Sequence, residues 1–193
     1  MAASSTMLAL GTALPAFKLP DVRTAATFAS DDLAGRPLLV VFVPVHCPYV
    51  KRIQDGLARF GRDYAQTDLE IVAIASNDVG SHPEDSPENQ ARAADEIGYP
   101  FPVLYDETQE VAMAFTAACT PDFFLFGPDH RLLYRGQFDD ARPRNDIPVT
   151  GASLRAAVDA VLAAMEVTID QIPSMGCSIK WRSETLGLSI GRQ

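Results

Sequence analysis

Arg36 to Val45, RPLLVVFVPV, is an apolar run rich in Val and bounded by Gly35 and His46. A run without polar alternation predicts a strand buried on both faces, at the centre of a sheet. Directly after it, Tyr49, Val50, Ile53, Leu57, Phe60 and Tyr64 recur at helical spacing, with Lys51, Arg52, Asp55, Arg59 and Arg62 between them. This predicts an amphipathic helix of about four turns. Pro48 suits its first position, where a backbone N–H would have no partner, and so Cys47 falls at or next to the N-cap. Leu69 to Ser76, LEIVAIAS, reads as a second buried strand. Strand, helix and strand in that order imply a right-handed crossover between parallel neighbours.

Asn77 to Asp85 is polar and turn-rich, and SPENQARAADEIG then reads as a helix starting at Ser86–Pro87 and stopping at Gly98. Phe101 to Leu104 is expected to be a short strand. Asp106 with Gln109 resembles a capping box in front of Val111, Ala112, Ala114 and Phe115. Asp122 to Phe126 and Arg131 to Tyr134, separated by GPDH, predict a β-hairpin. Leu154, Ala157, Val158, Val161, Leu162 and Met165 mark a last amphipathic helix. From Ile172 onward Pro, Gly and Ser appear with few periodic positions, so the tail is expected to be irregular.

With 193 residues, 47% of them apolar, the chain can bury one substantial core. A single domain over residues 1–193 is expected, its core spanning about 8–165 and a tail covering 166–193. The net charge is −9 and the 16 basic residues are scattered, which argues against nucleic acid or an anionic membrane as partner. The first twenty residues lack the basic start and long apolar stretch of a signal peptide, and every apolar run is too short to span a bilayer. The expected location is the cytoplasm. Three cysteines are too few and odd in number for a secreted disulfide framework, so reduced thiols are expected. No CxxC, HxxxH, GxGxxG or Walker pattern appears, and neither a metal nor a cofactor is expected.

Cys47 is the candidate nucleophile. A cysteine between a buried strand and a helix start sits at the carboxyl edge of the sheet, where the positive end of the helix dipole favours a thiolate. The competing reading is an inert buried thiol.

VVFVPVHCPYVKRI, the later ACTPDFFLF with its hairpin, and the opening LALGTALPAFKLPD resemble the thioredoxin superfamily, in particular its alkyl hydroperoxide reductase and thiol-specific antioxidant (AhpC/TSA) branch. SMGCSIKW is similar to a tail found in a bacterial subgroup of thioredoxin-like proteins, extending the likeness to Trp181. The resemblance implies an α/β, thioredoxin-like fold: a central mixed β-sheet flanked by helices, here with an N-terminal extension and an irregular C-terminal tail. It also implies a nucleophile at Cys47 and a cis peptide before Pro121 facing it. Departures accompany the match. His46 stands where thioredoxins have Trp, Val50 replaces the second cysteine of their CxxC, and Pro44 and Val40 replace the Thr and Pro that peroxiredoxins carry before the nucleophile.

In such a fold the loop before Pro121 abuts the nucleophile, which makes Cys47 and Cys119 the first candidate disulfide pair, against a packing role for Cys119. Cys177, in the weakly patterned tail, is either a resolving thiol or a residue covering the core beside Ile179 and Trp181. All three pairings stay open. The candidate substrate-contacting residues are His46 and Pro48, which flank Cys47, together with Thr120, whose backbone the resemblance turns toward a substrate, and Pro121. Side chains of neighbouring residues diverge, which weighs against His46 acting directly on the thiol.

The leading functional expectation is a thiol-dependent, antioxidant-type oxidoreductase. Cys47 attacks a protein disulfide or a peroxide, disulfide exchange ranking first, and an external thiol restores the enzyme. The alternative is a redox-inactive thioredoxin-like adaptor that binds a protein partner through the proline loop and the insertion from Asn77 to Pro100.

Overall fold

The computed structural model describes residues 2–33 and 35–183. From the N-terminus come strands β1 (Ala2–Ser4), β2 (Lys18–Pro20), β3 (Thr27–Ala29) and β4 (Leu38–Phe42), then helix α1 (Pro48–Tyr64), β5 (Glu70–Ala75), α2 (Pro87–Ile97) and β6 (Val103–Tyr105). Helix α3 (Glu110–Ala114), β7 (Cys119–Thr120), β8 (Asp122–Phe126), β9 (Leu132–Gly136), α4 (Ala152–Leu162) and β10 (Met175–Ser178) follow.

The main sheet has the order β6-β5-β4-β8-β9. β4, β5 and β6 run parallel, with Val40 opposite Val72 and Ile74 opposite Leu104. β8 and β9 complete it antiparallel, Val40 lying opposite Phe124. Every residue of β4 is buried because both faces are covered, which is why its sequence shows no polar alternation. Leu39, Val41, Phe123 and Leu125 pack with Val50, Ile53, Leu57 and Phe60 of α1 and Leu154 and Val158 of α4. On the other face Val40, Phe42, Phe124 and Phe126 meet Phe115, Phe17 and Ile179.

α2 starts where expected, the Ser86 hydroxyl accepting from the Asn89 N–H, and ends at Gly98 with φ 74°, a left-handed conformation that suits glycine. Two expectations need correction. β6 lies two residues later than its predicted start, at Val103. Asp106 does cap the α3 segment, accepting from Val111 and Ala112 N–H groups, but Gln109 has left the box: its amide donates to the Ser76 and Lys180 carbonyls.

The tail is the larger departure. Met175–Ser178 is a strand, placed between β1 on one side and β7 on the other in a second, three-stranded sheet. Its sequence, MGCS, has no β-branched residue and no alternation, so pairing with two distant edges, rather than intrinsic preference, makes it extended.

Candidate active site

Cys47 is the N-cap of α1, with β-region backbone and Pro48 in the first turn, and its carbonyl accepts from the Lys51 N–H at 2.9 Å. Its side chain has no exposed surface. The sulfur does not cap the helix. Instead Sγ donates to the Thr120 carbonyl at 3.1 Å, across from the cis Thr120–Pro121 peptide that the resemblance implied.

β10 brings Cys177 to the same place. Cys177 stands opposite Thr120 and Ser178 opposite Cys119 in the antiparallel pairing with β7. Cys177 is only partly buried and packs against the cluster that contains Cys47; desolvation first, and then the neighbouring Cys47 thiol and the charge it can carry, push its pKa up to about 11. It is therefore held as a thiol beside Cys47. Cys119 is fully buried, and burial drives its pKa far above the ordinary range, with Asp122 adding to the shift. Its sulfur faces the Pro121 and Ser174 carbonyls, at 3.6 and 3.8 Å. Cys119 also feels the charge Cys47 and Cys177 can carry, so both candidate partners lie near the nucleophile, Cys119 fully buried and Cys177 partly accessible.

The His46 ring is engaged by the insertion. Its Nδ1 meets Asp85 Oδ2 at 2.5 Å, and its ring stacks on His82 with centroids 5.3 Å apart. Buried Asp85 also accepts from the Val45 and His46 N–H groups and from the Asn77 amide, which fixes the turn leading into Cys47. Asn77 in turn accepts from the Lys180 N–H. One polar chain therefore joins the nucleophile loop, the insertion and the tail. Sequence reasoning passed over Asp85, although an acidic residue inside a turn-rich segment that follows a central strand is the available signal.

Asp122, directly after Pro121, is the second residue not foreseen. Desolvation raises its carboxyl from 3.8 to about 7, partly offset by hydrogen bonds from Ser5 and from the Ala118 and Phe123 N–H groups, while its Oδ1 has no partner. On the flank of the site, Pro44, Val45, Val50 and Lys51 share a cavity of about 320 Å³ with Gln90 and Tyr99 of the α2 region. Arg52 instead serves the loop before α4, donating to the Arg142 and Ile147 carbonyls. Among the described residues no cluster of His, Cys, Asp and Glu is arranged to hold a metal ion, and no helix is long and apolar enough to cross a membrane.

A mixed sheet with a cysteine at the first turn of its crossover helix and a cis-proline loop against it defines a thioredoxin-like protein. The AhpC/TSA family model matches residues 10–135, and the chain belongs to that family. It is 49% identical to a conserved protein of Geobacillus kaustophilus, covering 95% of this chain and 97% of that one with a TM-score of 0.92. A hypothetical protein of Sinorhizobium meliloti 1021 is 48% identical over 93% of this chain and 98% of its own, TM-score 0.91. A thiol:disulfide interchange protein of Chlorobium tepidum TLS, 21% identical, shares the fold at a TM-score of 0.61 over 80% of this chain and 98% of that one. No curated protein matches the chain.

Proposed function

We propose that this protein is a thiol oxidoreductase in which Cys47 and Cys177 cycle between dithiol and disulfide. The observation that carries the reading is the pairing of Cys177 with Thr120, the residue whose carbonyl takes the Cys47 thiol, which sets Cys177 in the cluster beside Cys47. With a disulfide substrate, the Cys47 thiolate attacks one sulfur, a Cys47–substrate bond forms and the other sulfur leaves. Cys177 then attacks Cys47 and gives its proton to the departing sulfur. The dithiol loses two electrons, and the substrate becomes two thiols. With a hydroperoxide, Cys47 takes the distal oxygen and the O–O bond breaks. The alcohol leaves, and Cys177 displaces water from the sulfenic acid, its proton completing that water. An external thiol reverses the internal disulfide, as a reducing compartment such as the cytoplasm allows.

In this cycle Cys177 takes the resolving role, ahead of Cys119. Thr120 and Pro121 form the floor on which the two sulfurs meet, Pro48 opens the helix that faces them, and His46 with Asp85 positions the loop. Replacing Cys47 by Ser abolishes thiol-dependent reduction of disulfide and peroxide alike. Cys177→Ser lowers turnover, by about tenfold or more where the internal disulfide is the route to regeneration, and Cys119→Ser leaves it within about twofold. Steady-state assays with a dithiol donor check all three. A Cys47→Ser protein with full activity contradicts the reading.

A further inference from the structure

β7 ends on Thr120, whose carbonyl faces the Cys47 sulfur. An extended chain that presents a sulfur to Cys47 by strand pairing has this edge to use. β10 already holds it. The outer edge of β10 is in turn covered by β1, Ala2 lying opposite Cys177 and Ser4 opposite Met175.

The seating is tight along the whole segment. A Cβ on Gly176 would lie 1.8 Å from the Thr120 carbonyl oxygen and 3.1 Å from the Pro121 nitrogen, so only glycine lets the backbones approach this closely. On one side, Ser174 Oγ donates to the Gly136 carbonyl, and the Ser174 carbonyl accepts from the Ser5 N–H. On the other, the Ile179 N–H donates to the Ala118 carbonyl and the Ile179 side chain is buried in the core. Lys180 follows, its N–H donating to Asn77 Oδ1 and its carbonyl accepting from the Gln109 amide and the Asp78 N–H. Cys47 beneath it has no exposed surface.

We propose that Ser174–Lys180 is a resident occupant of the peptide-pairing edge, so that the reactant oxidising Cys47 is a two-electron oxidant of low mass, a hydroperoxide or a small disulfide, and not an extended polypeptide. The inference rests on the Cys47–Cys177 cycle and names the substrate class of that site. It reverses the rank that the sequence assigned to protein disulfides. The bonds made and broken are those given above for either oxidant. What changes is that the second sulfur is always supplied in cis, while a protein disulfide must first displace the strand.

The test follows formation of the Cys47–Cys177 bond in the reduced full-length protein by alkylation and mass spectrometry. The oxidants are hydrogen peroxide, glutathione disulfide and scrambled ribonuclease, the last two at equal disulfide concentration. At least one small oxidant forms the bond about tenfold or more faster than the ribonuclease, and the faster of the two names the source. Gly176→Ala, whose Cβ lifts the strand, narrows that gap. So does Ile179→Ala, a milder loosening that keeps the test alive if the glycine variant fails to fold. Equal rates with ribonuclease and the small oxidants, or an unchanged ratio in both folded variants, overturn the occupied edge and leave the two-cysteine cycle standing. If no oxidant joins Cys47 to Cys177, the cycle itself falls, and the inference with it.

Discussion

Asp122 carries a proton for much of the pH range in which an exposed carboxyl has lost one. Unfolded it titrates near 3.8, and folded, with burial as the main cause, near about 7. Between these values folding takes up a proton, so stability is fully present below about pH 4 and is lost as the pH rises to about 7, beyond which the profile flattens. Asp106, also raised by burial, acts in the same sense. The loss is on the order of a few kcal/mol. Urea midpoints of the wild type are therefore higher at pH 5 than at pH 8, and Asp122→Asn shrinks that difference; an equal difference in the variant contradicts the assignment. Cys47 was legible in the sequence because a buried strand, a proline and an amphipathic helix bracket it. Asp122 was not, because whether the first residue of DFFLF faces solvent or core depends on a register that only the folded sheet supplies. Ranking Cys177 above Cys119 likewise depends on where the tail lies.

At the scale of elements, β4, α1 and β5 follow directly from their patterns, since a continuous apolar run and a helical repeat each admit few alternatives. Short elements whose shape comes from distant partners do not. β10 is extended because β1 and β7 pair with it. Gln109 shows the same dependence. Its spacing from Asp106 matches a capping box, yet its backbone is left-handed, φ 64°, and its amide bridges Ser76, Lys180 and the Arg182 N–H. Gln109→Ala leaves the buried Ser76 carbonyl without this donor and costs about 1–3 kcal/mol. It also speeds hydrogen exchange at the amides of Gly176 to Lys180. Unchanged protection of those amides in the variant contradicts the role of Gln109 as the latch of the tail.

Across the whole molecule the two cores have different duties. Phe115, fully buried, meets Phe17, Phe42, Phe124 and Phe126 on the face of the sheet that also takes Ile179 of the tail. Phe115→Ala is expected to cost about 3–5 kcal/mol in chemical denaturation. A loss under about 1 kcal/mol would place the main support of the fold elsewhere. The opposite face anchors α1 and so fixes Cys47, which belongs to that cluster. The N-terminal strand and the tail strand meet over the site, β1 on β10 and β10 on β7, an arrangement that no local pattern in either segment announces. Family resemblance supplied the sheet and the proline loop in advance, whereas the cover over Cys47 emerged only with the folded structure.

The most direct measurement is a peptide map of the protein after brief exposure to hydrogen peroxide or oxidised dithiothreitol, with free thiols alkylated before digestion. The account predicts one disulfide, joining Cys47 to Cys177, with Cys119 alkylated only after denaturation. A disulfide between Cys47 and Cys119, or three thiols that all remain reduced, contradicts it.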